Sequence, residues 1–185
     1  NIAAVIVEPL SGSAGVIIPP QGYLQRLREI CTAHDILLIF DEIPTGLGKT
    51  GRMFSCEHDG VVPDILVLGK ALGGALGGYI AGPQPVIDLL RQRARPYLFS
   101  NALPPAVVAA GLAALDIVEA ADDLRAQLAA NADHWRKGLT AAGFTLLPGS
   151  HPIIPVMLGD ARLAQAMAAD LFQRGVHVAP FFFPV

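Results

Sequence analysis

Short apolar runs alternate with turn-forming clusters along the chain. The first four are residues 2–7 (IAAVIV), 36–40 (ILLIF), 65–68 (ILVL) and 78–81 (GYIA). They are apolar at nearly every position rather than at every second one, which predicts strands of a mostly parallel sheet covered on both faces. Two later runs, Ile153–Met157 and Val176–Pro180, predict strands by the same rule. Between the first two, Leu24, Leu27 and Cys31 recur at helical spacing after Pro19–Pro20. Strand, helix and strand make a βαβ unit with a right-handed crossover.

The pattern becomes helical after Gly82. "QPVIDLLRQRAR" predicts one helix, and the alanine-rich stretch from Pro104 to Gly143 predicts two that meet near Ala120–Asp123. "FTLLPGSHPIIPVMLGD" reads as strand, turn and strand. "ARLAQAMAADLFQRG" reads as an amphipathic helix with Gly175 as its stop. The expected division is residues 1–120 as the later part of a large α/β domain and 121–185 as a bridging helix with part of a small α+β C-terminal domain.

Composition narrows the function. The 185 residues are 52% hydrophobic, with mean hydropathy +0.48 and net charge −3. Such a balance gives no electrostatic case for nucleic acid or an anionic membrane. No stretch of apolar residues is long and uninterrupted enough to predict a membrane span. The two cysteines, Cys31 and Cys56, fit a reducing, cytoplasmic compartment. Both ends lie in apolar runs, "NIAAVIVEPL" and "GVHVAPFFFPV", so the chain reads as truncated at both ends.

The candidate chemistry lies at strand ends. Ligands of parallel sheets bind beyond the carboxyl ends of the strands. Asp41–Glu42 ends the second run, where either acid faces a cleft or merely caps a turn. Lys70 follows the third run, one βαβ step later, flanked by Gly69, Gly73 and Gly74. Alone, Lys70 reads as a side chain whose stem packs while its head reaches water. With a carboxylate one strand away, it fits a pyridoxal phosphate site, the lysine as nucleophile and the acid on the pyridine nitrogen. "GLGKTG" fails the phosphate-loop pattern, because Ile43 stands where glycine is needed. Ser100 and Asn101, before Pro104–Pro105, are either donors for a phosphate or a plain helix cap. The histidines are scattered without ligand spacing, so no metal site is predicted.

Residues 1–75 resemble the class III pyridoxal-phosphate aminotransferases. The likeness is carried by "FDE", "TGLGKTG", "PDI" and "GK" at their spacing. It implies the type I pyridoxal-phosphate transferase fold, with Lys70 as the Schiff-base lysine, Asp41 on the pyridine nitrogen, and Glu8 of "VEP" lining the site. Pro44 departs from the pattern, since related enzymes often carry glutamine there, near a ring oxygen of the cofactor. Residues 76–185 resemble glycine C-acetyltransferase (2-amino-3-ketobutyrate CoA ligase), of the α-oxoamine synthases. That likeness implies that Ser100, and less directly Asn101, reaches the cofactor phosphate of a neighbouring subunit in a homodimer. The two meet inside "GKALGGALGGY", so the chain reads as a composite. The expected activity is amino transfer between an amine or amino acid and a keto acid. The alternatives are acyl transfer from acetyl-CoA to glycine and an inactive fragment.

Overall fold

The computed structural model describes residues 2–12, 15–70, 77–100 and 102–182. Gly73, Gly74 and Asn101 lie outside the described residues. The chain forms β1 (Ala4–Val7), α1 (Tyr23–Ala33), β2 (Leu37–Asp41), β3 (Ile65–Gly69) and β4 (Gly78–Ala81). Five helices follow: α2 (Gln84–Arg93), α3 (Arg95–Phe99), α4 (Pro105–Glu119), α5 (Asp122–Ala141) and α6 (Ala161–Gln173). The sheet order is β1-β2-β3-β4, with β1, β2 and β3 parallel and β4 antiparallel to β3.

Alternation along the strands sorts the sheet into two faces. Val5 pairs with Leu38 and Val7 with Phe40, while Phe40 pairs with Leu66. These side chains pack with Leu24 and Cys31 of α1 and with Cys56 and Val61. The spacing seen in the sequence thus becomes the seam that buries Leu24 and Cys31. Fully burying a leucine or phenylalanine is worth about 1.5–3 kcal/mol, so this cluster is the main source of stability. On the other face Ile6 pairs with Ile39, and Asp41, Val67 and Ile80 lie in one row. Ile6, Leu37 and Ile80 are exposed there. The expectation of strands buried on both faces therefore holds on the α1 side only.

Asp64 sets the start of β3 against β2. Its Oδ2 accepts from Leu38 N (2.7 Å) and from Arg28 Nη1 (2.7 Å), and its own N donates to Leu38 O (2.8 Å). Burial opposes ionisation of this carboxyl, but the Leu38 amide and Arg28 outweigh it and hold its pKa below the usual 3.8.

Two predicted strands do not form. Ile153–Met157 contributes one isolated bridge, Leu146 to Val156, with Met157 N donating to Thr145 O (2.8 Å). Val176–Pro180 has no strand pairing among the described residues. An apolar run becomes a strand only where another strand accepts a series of its hydrogen bonds; the first run finds a single bridge and the second none among the described residues. Helices α1, α2, α4, α5 and α6 match their expectations, including the break at Ala120–Ala121 and left-handed stops at Gly143 and Gly175, whereas the sequence pattern does not predict α3, which begins where the predicted α2 ends. No helix among the described residues is long and apolar enough to cross a membrane.

Candidate active site

The carboxyl ends of β1, β2 and β3 bring Glu8, Asp41 and Lys70 to one edge of the sheet. Glu8 follows β1, Asp41 ends β2 beside Val67, and Lys70 follows β3 directly. Asp41 lies on the face opposite α1, and Glu8 is the next position of that face beyond Ile6.

Each of the two acids is held by its own turn. Glu8 Oε2 accepts from Gly12 N at 2.8 Å. Asp41 is half-buried, and its Oδ1 accepts from Ile43 N at 3.0 Å. Asp41 therefore does cap a turn, yet its second oxygen has no hydrogen bond among the described residues. Lys70 is exposed, with φ of 57°. A side chain in the left-handed region costs about 1–3 kcal/mol and persists where the surroundings impose it, commonly at functional sites. At Gly69, just before it, an added Cβ would lie 3.5 Å from Ile43 Cγ1.

Glu42 takes the other direction. It is 1% exposed, on the inward side of the turn. Its Oε1 accepts from Cys56 N (2.9 Å) and its Oε2 from the Thr45 hydroxyl. Burial, reinforced by the Glu42 charge, pushes the Cys56 thiol up to about 12, so Cys56 stays a neutral packing group. Of the two acids left open by the sequence, one is a structural clamp and the other faces the edge.

The loop after Glu42 is not a phosphate cradle. Leu47 N and Gly48 N both donate to Met53 O (2.7 and 3.3 Å), and Gly51 N donates to Gly48 O (3.0 Å). The amides of Leu47, Gly48 and Gly51 are consumed internally, and no α-helix follows directly. The loop does contribute Lys49, which sequence reasoning weighed only as part of a phosphate motif. Lys49 Nζ donates to Ile43 O at 3.2 Å. Burial first, and then the Lys70 charge, lower the Lys49 ammonium from 10.5, while Glu42 partly offsets them.

Ser100 stands apart. It is exposed at the end of α3, and its hydroxyl donates back to Pro96 O. Pro104, not Ser100, occupies the N-cap of α4. No hydrogen bond or ion pair joins Ser100 to Glu8, Asp41 or Lys70 among the described residues. No group of three or more metal-ligating side chains occurs among the described residues.

A lysine and an acid at neighbouring strand ends can be compared with known proteins. Residues 1–145 match the family "Aminotransferase class-III". The chain belongs to the class III aminotransferases. It is 49% identical over 173 residues to human mitochondrial 2-amino-3-ketobutyrate coenzyme A ligase, covering 89% of this chain and 41% of that protein. It is 47% identical over 148 residues to β-alanine–pyruvate aminotransferase of Pseudomonas aeruginosa, covering 75% of this chain and 33% of that one. Among solved structures, ornithine aminotransferase of Toxoplasma gondii, described with partial occupancy of PLP at its active site, superposes with a TM-score of 0.81 at 30% identity. That match covers 97% of this chain and 44% of that one. The chain thus spans between a third and just over two fifths of the length of these proteins, and it has the type I pyridoxal-phosphate fold. The two likenesses do not divide at "GKALGGALGGY", since the family match runs on to residue 145.

Proposed function

We propose that the protein is a pyridoxal-phosphate-dependent transferase, and that it moves an amino group between an amine or amino acid and a keto acid. The observation that carries this reading is Lys70, held left-handed at the end of β3 on the strand beside Asp41. The residues present fit the cofactor. An exposed amine can reach an aldehyde, and the unengaged Asp41 oxygen can accept from a protonated ring nitrogen. When bound, pyridoxal phosphate supplies an electron-withdrawing ring that stabilises negative charge on a substrate carbon.

Lys70 would hold the cofactor covalently and, once displaced by an incoming amine, would carry the proton between substrate and cofactor carbons. Asp41 would keep the ring nitrogen protonated. Glu8 would line the site, and Ser100 and Asn101 would serve the phosphate of a neighbouring subunit in a homodimer. The unpaired, buried Cys31 and Cys56 suit a reducing compartment such as the cytoplasm.

Acyl transfer from acetyl-CoA to glycine is the second reading, favoured by the 49% identity to 2-amino-3-ketobutyrate coenzyme A ligase. Titration with pyridoxal phosphate, followed by absorption, tests the shared step. A new band near the violet edge that vanishes in Lys70→Ala is expected. A band of equal strength in that variant, or none in either protein, overturns the cofactor reading. Turnover of an amine with a keto acid, against turnover of glycine with acetyl-CoA, then separates the reactions.

A further inference from the structure

We propose that Lys49 is a positioning residue that aims Asp41 through the Ile43 backbone. The inference rests on the cofactor reading above. Ile43 is held at both ends of its backbone: its N–H donates to Asp41 Oδ1 at 3.0 Å, and its carbonyl accepts from Lys49 Nζ at 3.2 Å. The residue after it is Pro44, which has no N–H to hold the turn. The next two amides, Thr45 N and Gly46 N, are spent on Glu42 O at 3.2 and 2.8 Å. Among the described residues, Lys49 is thus the one group that fixes the Ile43 carbonyl.

The Ile43 side chain adds a second tie, because it lies against Gly69, directly before Lys70. One residue, Ile43, therefore joins the acid through its N–H, the second lysine through its carbonyl, and the strand end that carries the first through its side chain. Lys49 makes no ion pair with Asp41 among the described residues. It orients the carboxylate without neutralising it, so the negative charge stays available to a ring nitrogen. Keeping a half-buried ammonium here is costly, and a merely solvated loop lysine would leave for water. Pro44 packs on the neighbouring turn, where an added Cβ on Gly12 would lie 3.2 Å from Pro44 Cβ. Gly12 in turn holds Glu8. Pro44 thereby braces the far side of the Ile43–Pro44 peptide whose carbonyl Lys49 holds.

The test is a double-mutant cycle on the whole chain, read by pyridoxal phosphate affinity. Lys49→Met is expected to weaken binding about ten-fold, the usual worth of one positioning hydrogen bond. Lys49→Arg, which can still donate to the carbonyl, should restore it to within about three-fold. In an Asp41→Asn background Lys49→Met should add less than about two-fold, because both changes act on one contact. A full ten-fold loss in that background, or no loss in the wild-type background while the Lys70-dependent band is intact, overturns the inference and leaves the cofactor reading standing. Amide exchange of the cofactor-free protein gives an independent readout. Lys49→Met should speed exchange at Ile43 by about ten-fold and Lys49→Arg should not; equal protection in all three proteins overturns the inference whether or not the cofactor binds.

Discussion

The chain before Lys70 and the chain after it are apolar in similar proportion, to different effect. Nearly all of the described buried hydrophobic residues, Leu24, Cys31, Leu38 and Phe40 among them, precede Lys70; Ala132 and Ala168 are the exceptions. The later helices display large side chains instead: Leu112, Ile117, Leu124, Trp135 and Phe172 are all exposed. The difference lies in what each apolar stripe faces. Leu24 and Cys31 meet a sheet, whereas α4, α5 and α6 present their stripes to little else in this chain. Amphipathicity shows that a helix has a face to bury, and burial requires a partner surface.

Core truncation breaks or sharpens this comparison most directly. Phe40→Ala should cost about 3–5 kcal/mol of unfolding free energy in urea titrations, the usual price of emptying a phenylalanine site. Trp135→Ala should cost within about 0.5 kcal/mol, as for an exposed position. Equal costs would mean that the tail is as well packed as the sheet. The two adjacent acids give the next largest contrast. Glu42→Ala leaves Cys56 N and the Thr45 hydroxyl without their acceptor, a loss of about 2–4 kcal/mol. Asp41→Asn should leave the melting temperature within about 2 °C while weakening the cofactor band, because only one local turn bond is altered. A large stability loss from Asp41→Asn would move that acid into the structural class.

The smallest effect is in acid. His151 is buried, and burial, with the charges of Arg136 and His58, lowers its pKa from 6.5. A depressed histidine contributes stability above its unfolded pKa and loses it as pH falls. Protection of the segment around His151, followed by hydrogen exchange, should therefore decline as pH drops below about 6.5. Asp64 also has a lowered pKa, so its contribution is present above 3.8 and fades only below it. The β2–β3 pairing should outlast the tail between those values. Simultaneous loss of both would show that the two regions unfold as one unit.

Much of the fold was legible because the first four apolar runs differ from β1–β4 by no more than two residues at either end. Lys70 and Asp41 were legible as a pair because strand ends in parallel sheets define an edge. The roles of the two acids were not separated, although the signal existed: Leu38, Phe40 and Glu42 share a parity, and the first two pack on α1. Lys49 was missed for a different reason. Its partner is a backbone carbonyl, which no side-chain motif records. The failed strands near the end were illegible because hydropathy describes a run's own surface and says nothing about an available neighbour.

The order β1-β2-β3-β4 has a kinetic meaning. Every strand lies beside its predecessor in the sequence, so each pairing closes one loop and waits for no distant segment. Those loops shorten along the chain, from a separation of 33 positions for Val5 and Leu38 to one of 9 for Gly69 and Gly78. Lys70 enters that last, shortest loop, and its left-handed backbone falls where the chain begins its reversal into β4. The final pairing of the sheet is thus the folding event that gathers the ends of the lysine's own loop.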